Sequence, residues 1–303
     1  MKRRTDCYYD LIKSIPTEEL PESYTYYLDK SKSVLTLKLN EKGLTNNMQS
    51  NESAFESWAI VLKLHNPKIK KINIDWDDLP DNKQNNLHFN RFVYRLSKFV
   101  QTYDWAQANK PIPLIPSILT CNYPNGKAAE AIEHQKDSEG WIECKYVEKH
   151  KSEYDVMNHQ LPIGIFKDKV GRESHYTTGQ KSAIDIWAIK EKSLFIFELK
   201  KPGNNVLGII SELMFYTNIL QDIMSHRIQY QEDNKLLKAV KNNFRDFGKL
   251  YDVYKNGRIQ EINAVLLADT LHPLITPELI ELVNNSGRLK YCRISYTKQK
   301  ANI

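Results

Sequence analysis

The chain has 303 residues, of which 41% are hydrophobic and 26% are charged, and its formal net charge is +6. These proportions are ordinary for a soluble globular protein, and no run approaches the ~20 apolar residues that a membrane span requires, so no membrane partner is expected. The mild positive charge suits a polyanionic partner, although a solvated basic surface with no partner gives the same totals.

The cysteines argue against two further classes of protein. They lie far apart and form no Cys-x-x-Cys pair: Cys7, Cys121, Cys144 and Cys292. This spacing speaks against a structural zinc site and against a secreted disulfide framework. Residues 1–10 are basic but have no apolar core behind them, so they do not indicate a signal peptide. The expected location is therefore the cytoplasm.

The first part of the chain is predicted to be an α+β region. Alternating apolar residues indicate strands, and apolar residues at helical spacing indicate helices. The predicted elements are a strand over 34–39, a helix over 53–64, a strand over 72–76 and a helix over 88–103.

The helix predicted over 88–103 carries a row of cations on its polar side. These are Arg91, Arg95 and Lys98. Such a row could bind the phosphate backbone of a nucleic acid. The simpler interpretation, which we favour, is a solvated helix face.

Three prolines interrupt the chain after this helix and mark a boundary. They are Pro111, Pro113 and Pro116, and prolines at this density break regular structure. We therefore predict an N-terminal region of residues 1–116 and a second domain of residues 117–303.

The second domain is predicted to alternate helices and strands. In chain order we expect a helix over 126–135, strands over 141–147 and 160–166, a hairpin over 182–199, a helix over 206–224, a polar stretch over 231–256, a strand over 264–268, a helix over 277–283 and a strand over 290–296.

The hairpin gathers the most informative charges of the sequence. Two β-branched and aromatic runs flank a polar turn at 191–193, which is typical of two paired strands. Glu198 and Lys200 are two apart on the second strand and therefore point to the same face. Asp185 lies on the first strand, which folds back toward that pair. Two carboxylates and an ammonium at one edge of an apolar hairpin predict a divalent-metal site.

This arrangement resembles the PD-(D/E)XK nuclease superfamily over roughly residues 120–300. Ile184-Asp185 stands in place of Pro-Asp, and Glu198-Leu199-Lys200 matches the (D/E)XK tripeptide. The resemblance implies an α/β fold with a restriction-endonuclease-like core, which is a mixed central sheet flanked by helices.

The resemblance also implies a reaction, which is hydrolysis of phosphodiester bonds, most readily in DNA, with Mg²⁺ or Mn²⁺. Asp185 and Glu198, with the backbone carbonyl of Leu199, would bind the ion through hard oxygen ligands. Lys200 would orient the attacking water and stabilise charge in the transition state. Residues 1–116 would then bind substrate, a protein partner or a second copy of the chain.

Further site residues follow only from the resemblance. Members often add a carboxylate from the helix before the sheet, for which we choose Glu130, with Glu133 as the alternative and a solvated face as the simpler interpretation of both. Glu212 and Tyr216, four residues apart on one predicted helix, look like the Gln-x-x-x-Tyr element of some branches. They would position metal ligands or the DNA strand, whereas simple core packing explains Tyr216 equally well. His159 could approach the site or lie in a surface loop.

Two alternatives to the enzyme stay open. Lys200 could form a structural ion pair with Glu198 or Asp185 that holds the sheet together. The chain could also be a catalytically inactive module that binds nucleic acid or protein on a nuclease-like fold.

Overall fold

The structure is a computed structural model that describes residues 15, 20–31, 33–79, 87–124, 135–178, 182–285 and 292–298. It is a mixed α/β fold with helices and three β-sheets in this part of the chain, as the sequence predicts. None of the helices that it describes has the length and apolar composition needed to cross a bilayer.

The chain forms two compact units, which do not follow a single cut in the sequence. The first contains Met1–Ile115, Val206–Glu212 and Leu271–Leu289, and the second contains Pro116–Asn205, Leu213–Thr270 and Lys290–Ile303. The first unit thus includes two segments from beyond the boundary that the prolines predict.

The first unit is built on a four-stranded sheet with the order β1-β2-β3-β4. Strands β1 and β2 are antiparallel, and the other neighbours are parallel. Its elements are β1 (Tyr24–Asp29), β2 (Val34–Leu39), α1 (Glu41–Thr45), α2 (Phe55–His65), β3 (Lys71–Trp76), α3 (Leu87–Thr102) and β4 (Ala106–Ala108), together with a late helix, Pro277–Asn284, that is α8 of the chain.

Burial along β2 alternates with the two-residue period of a strand, so one face of β2 lies in the core. Leu35, Leu37 and Leu39 are fully buried, and the residues between them are half-buried. Helices α2 and α3 meet through aromatic rings, with the centroids of Phe55 and Phe92 5.4 Å apart. All four elements predicted for this region are confirmed to within two residues.

The second unit contains the hairpin and most of the remaining elements. They are β5 (Leu119–Cys121), α4 (Glu139–His150), β6 (Val156–Pro162), β7 (Ile165–Lys167), β8 (Ala183–Lys190), β9 (Ser193–Leu199), β10 (Ile228–Tyr230), α6 (Asn234–Asn242), α7 (Phe247–Lys255), β11 (Glu261–Ala268) and β12 (Cys292–Lys298). Helix α5 (Ile209–Met224) begins in the first unit and continues in the second.

A five-stranded mixed sheet forms the centre of the second unit, with the order β12-β11-β9-β8-β6. Strands β9, β11 and β12 are parallel, and β8 is antiparallel to both of its neighbours. Helix α4 packs on this sheet through Ile142 and Tyr146, which join an apolar cluster with Phe197 and Leu199 of β9. A smaller sheet has the order β10-β5-β7.

One element of this unit was predicted with the wrong type. The strand expected over 141–147 is wrong, because these residues lie in helix α4. The apolar residues alternate over a short run, but Ile142 and Tyr146 are four apart and both buried, which is helical spacing. Ser138 caps the helix by accepting a hydrogen bond from the Trp141 amide, at 3.3 Å.

Two other predictions were too coarse. The strand expected over 160–166 is two strands, β6 and β7, with a break at residues 163–164. The polar stretch over 231–256 holds helices α6 and α7. The helix predicted over 126–135, with Glu130 and Glu133, lies outside the described residues except at its end, and residue 135 is not helical.

Candidate functional site

The pairing of β8 with β9 ends just before the acidic residues. Paired positions run from Lys190 opposite Ser193 to Ile186 opposite Phe197. At the next position the Asp185 side chain replaces the strand ladder, because its Oδ2 accepts a hydrogen bond of 2.9 Å from the Leu199 amide. The carboxylate is thereby fixed beside the backbone between Glu198 and Lys200.

Glu198 and Lys200 form a buried ion pair at this end of β9. Their exposed fractions are 2% and 5%, and Nζ of Lys200 donates to Oε1 of Glu198. The Lys200 amide donates to the Leu267 carbonyl of β11 at 2.9 Å, which holds the backbone in line with the sheet. Burying a charge costs several kcal/mol, and pairing the two charges offsets that cost. Removing either partner would leave the other charge buried without compensation.

A third carboxylate, which the sequence does not single out, is the buried side chain of Glu143 in α4. Its exposed fraction is 3%, and its Oε2 accepts a hydrogen bond of 2.7 Å from Nε2 of Gln160. Burial raises the pKa of Glu143 to about 7, while the Gln160 hydrogen bond and the charges of Arg245 and Lys200 oppose that rise. The Ser138 cap with Glu139 in the first turn was the available signal for this helix.

The strand that carries Gln160 is distorted at that residue. The φ angle of Gln160 is +54°, and the pairing of β6 with β8 skips the position at which Gln160 would face Asp185. Left-handed backbone is costly for a residue with a side chain and is common at functional sites. At this left-handed residue the side-chain amide of Gln160 donates to the Glu143 carboxylate.

Histidine and cysteine side chains lie near the third carboxylate. Nδ1 of His159 is 3.8 Å from Oε2 of Glu143, and its Nε2 is 4.0 Å from Sγ of Cys144. His159 is part of β6, so the surface-loop alternative for it is wrong.

The basic row predicted for nucleic-acid binding has a different environment from a solvated face. Arg91 and Arg95 are 4% and 3% exposed, and Lys98 is half-buried over the Tyr94 ring at 5.4 Å. Nε of Arg95 donates to Glu56 at 2.8 Å, and Nη2 pairs with the same carboxylate. The expectation of a solvated face is therefore wrong for both arginines, because α3 buries their side chains in the first unit. The nucleic-acid role of this row stays a prediction.

Helix α5 carries the remaining predicted residues. Glu212 is 3% exposed and accepts a hydrogen bond from Gln49 within the first unit. Tyr216 is 4% exposed in the second unit, where its ring lies 5.8 Å from that of Phe215. Gly208, just before the helix, permits a close approach of the chain, since a Cβ there would lie 2.1 Å from the Gln49 carbonyl oxygen.

The donors at the hairpin suit a hard cation by type. The carboxylates of Asp185 and Glu198 and the Leu199 carbonyl present oxygen atoms, and Mg²⁺ in proteins commonly takes one or two carboxylates with waters and substrate phosphates. Across the described ranges, however, no three His, Cys, Asp or Glu side chains lie together in a way that could hold a metal ion. The site thus offers at most a pair of side-chain ligands in the described part of the chain.

Comparison of the chain with protein-family models, with curated proteins and with solved structures finds no match.

Proposed function

We propose that this chain is a metal-dependent nuclease that hydrolyses phosphodiester bonds, with DNA as its substrate, on a restriction-endonuclease-like core. One observation carries the proposal: Asp185 is hydrogen-bonded to the backbone between Glu198 and Lys200, which are themselves paired. The mixed sheet with α4 before the hairpin and α5 after it supports the same core.

The proposed cofactor is Mg²⁺ or Mn²⁺, held by Asp185, Glu198 and the Leu199 carbonyl. When bound, such an ion polarises a phosphate and lowers the pKa of a water molecule. The Asp185 carboxylate accepts a hydrogen bond from the Leu199 amide, and the bond from the Lys200 amide to the Leu267 carbonyl anchors the backbone beside Glu198. Little reorganisation is therefore needed to present the two carboxylates.

Lys200 supplies the positive charge of the proposed site. An ammonium in a buried environment stabilises developing negative charge more strongly than in water. Its ion pair with Glu198 holds the ammonium at this end of β9. Glu143, with a pKa raised to about 7 by burial, can hold or release a proton near neutral pH beside it.

The test is cleavage of duplex DNA, single-stranded DNA and RNA by the wild type, Lys200→Ala and Lys201→Ala. Lys201 is the matched control, since it is the next residue and is exposed. We expect Mg²⁺- or Mn²⁺-dependent cleavage that falls by about 10²-fold or more in Lys200→Ala and not in Lys201→Ala. Equal cleavage by all three proteins that survives a chelator would reject the proposal.

A second function is a non-catalytic module that binds nucleic acid or protein. It is favoured by the closed Glu198–Lys200 pair and by the absence of a three-ligand cluster in the part of the chain that the structure describes. Binding of DNA without cleavage under every metal condition would select this function over the enzyme.

A further inference from the structure

The backbone between helices α6 and α7 is unusually strained and firmly anchored. Asn243, Arg245 and Asp246 have φ angles of +49°, +50° and +56°. Asp246 Oδ2 accepts a hydrogen bond of 3.1 Å from Nδ2 of Asn158 in β6. The next residue, Phe247, is fully buried and stacks on Tyr123 at 5.8 Å. These contacts hold a conformation that would otherwise be costly.

The effect of this turn is to bring a guanidinium to the candidate site. Nη1 of Arg245 donates to the Gln160 carbonyl at 3.1 Å, and the Gln160 side chain in turn donates to Glu143. The charge of Arg245 helps to lower the pKa of Glu143, and burial lowers the pKa of Arg245 itself. A half-buried cation whose charge acts on the same carboxylate as that of Lys200 is well placed for an anion.

Helix α6 leads into this turn with a basic face. Lys235, Lys238 and Lys241 recur every three residues, so they fall within about a third of the helix circumference. All three are exposed. Among the described residues none of the three forms an ion pair, unlike Lys249, which pairs with Asp246 at 2.9 Å.

We propose that residues 234–246, the basic segment, bind the phosphate backbone of the substrate, with Arg245 on a phosphate at the site and the three lysines on the strand beyond it. This inference rests on the proposed function. The lysines span about 9 Å along the helix axis, which corresponds to two to three steps between successive phosphates of one strand, at about 3.4 Å per step along the duplex axis. Guanidinium groups suit phosphate because their donors form a planar fork.

The experiment measures binding of a fluorescent DNA oligonucleotide, duplex and single-stranded, in Ca²⁺ over a range of salt concentrations. Each phosphate contact contributes close to one unit to the slope of log affinity against log salt. We expect Lys235→Ala/Lys238→Ala/Lys241→Ala to reduce that slope by about 2 to 3. The control Lys149→Ala/Lys151→Ala/Lys192→Ala removes the same charge from exposed positions of the same unit and should leave the slope unchanged.

Arg245 is tested with two substitutions, because its hydrogen bond to Gln160 could make an alanine variant unstable. Arg245→Gln keeps a donor and loses the charge, whereas Arg245→Lys keeps the charge. We expect a slope reduced by about 1 in Arg245→Gln and a wild-type slope in Arg245→Lys. Equal slopes in both would assign Arg245 a structural role and overturn its part in the proposal.

The outcomes separate this inference from the proposed function. Cleavage that depends on Lys200, with the basic-segment variants binding like the control, would overturn the inference and leave the nuclease standing. Salt-dependent binding through the basic segment without cleavage would support the inference and reject the nuclease. A wild type that neither binds nor cleaves nucleic acid would reject both.

Discussion

At the scale of single residues, Glu143 has the most informative environment. It is a carboxylate with 3% exposure whose pKa burial raises to about 7. The folded chain therefore keeps a proton that the unfolded chain loses near its ordinary value of 4.5. Below pH 4.5 both states are protonated, so the pKa shift does not change the free energy of unfolding. As pH rises from 4.5 toward 7 that free energy falls, because the unfolded state binds fewer protons than the folded state.

Replacing Glu143 with glutamine should remove this pH dependence. The amide stays neutral and can still accept from Gln160, so we expect Glu143→Gln to raise the free energy of unfolding at pH 8 by on the order of 2 kcal/mol and to change it little at pH 5. Urea unfolding at the two pH values measures the difference. Glu173→Gln, at an exposed position, is the control and should show no such gain; an equal gain in the control would refute the prediction.

At the scale of elements, a buried ion pair joins α2 and α3. Arg95 of α3 binds both carboxylate oxygens of Glu56 in α2 and also donates to the Ser53 carbonyl at 2.9 Å. Its guanidinium lies 5.0 Å from the Phe55 ring centroid. Both charged side chains are about 3% exposed, so neither can recover its hydration if the other is removed.

Glu56→Ala should therefore destabilise the first unit by about 3 kcal/mol or more. The double variant Glu56→Leu/Arg95→Met removes both charges and should recover most of that loss. Lys42→Ala, which breaks a solvent-exposed pair with Glu52, should cost far less, because exposed ion pairs are screened by water. Thermal unfolding by circular dichroism ranks the three proteins, and a double variant less stable than Glu56→Ala would contradict the argument.

At the scale of the whole molecule, the proposed metal site makes a prediction about stability. An ion that binds only the folded chain raises the free energy of unfolding by about 2.7 kcal/mol at 100 times its Kd. We expect Mn²⁺ to raise the melting temperature of the wild type in a concentration-dependent way. Asp185→Asn keeps an acceptor for the Leu199 amide but loses the charge, and should abolish the rise.

Asp104→Asn is the control for this titration, because Asp104 is exposed in the first unit and should leave the rise intact. An equal rise in Asp185→Asn would place the bound ion elsewhere and remove the basis for the proposed site.

Local pattern predicted the part of the site that lies within one hairpin. The placement of Asp185, Glu198 and Lys200 follows from the two-residue period of strands and the short turn between β8 and β9, which are both properties of neighbouring residues. The same local rules failed for α4, where a short apolar run alternates as in a strand although its buried residues are four apart.

The amino-acid sequence by itself determined the mixed α/β class and the charged hairpin, because the strand and helix periods are patterns of apolar residues within short segments. Only the tertiary structure decided that the buried Glu143 carboxylate meets Gln160, that Arg245 reaches Gln160 from 85 positions away in the sequence, and that Arg95 is buried against Glu56. The physical reason is that burial and ion pairing depend on which distant segments pack together, and no period within a segment specifies its partner.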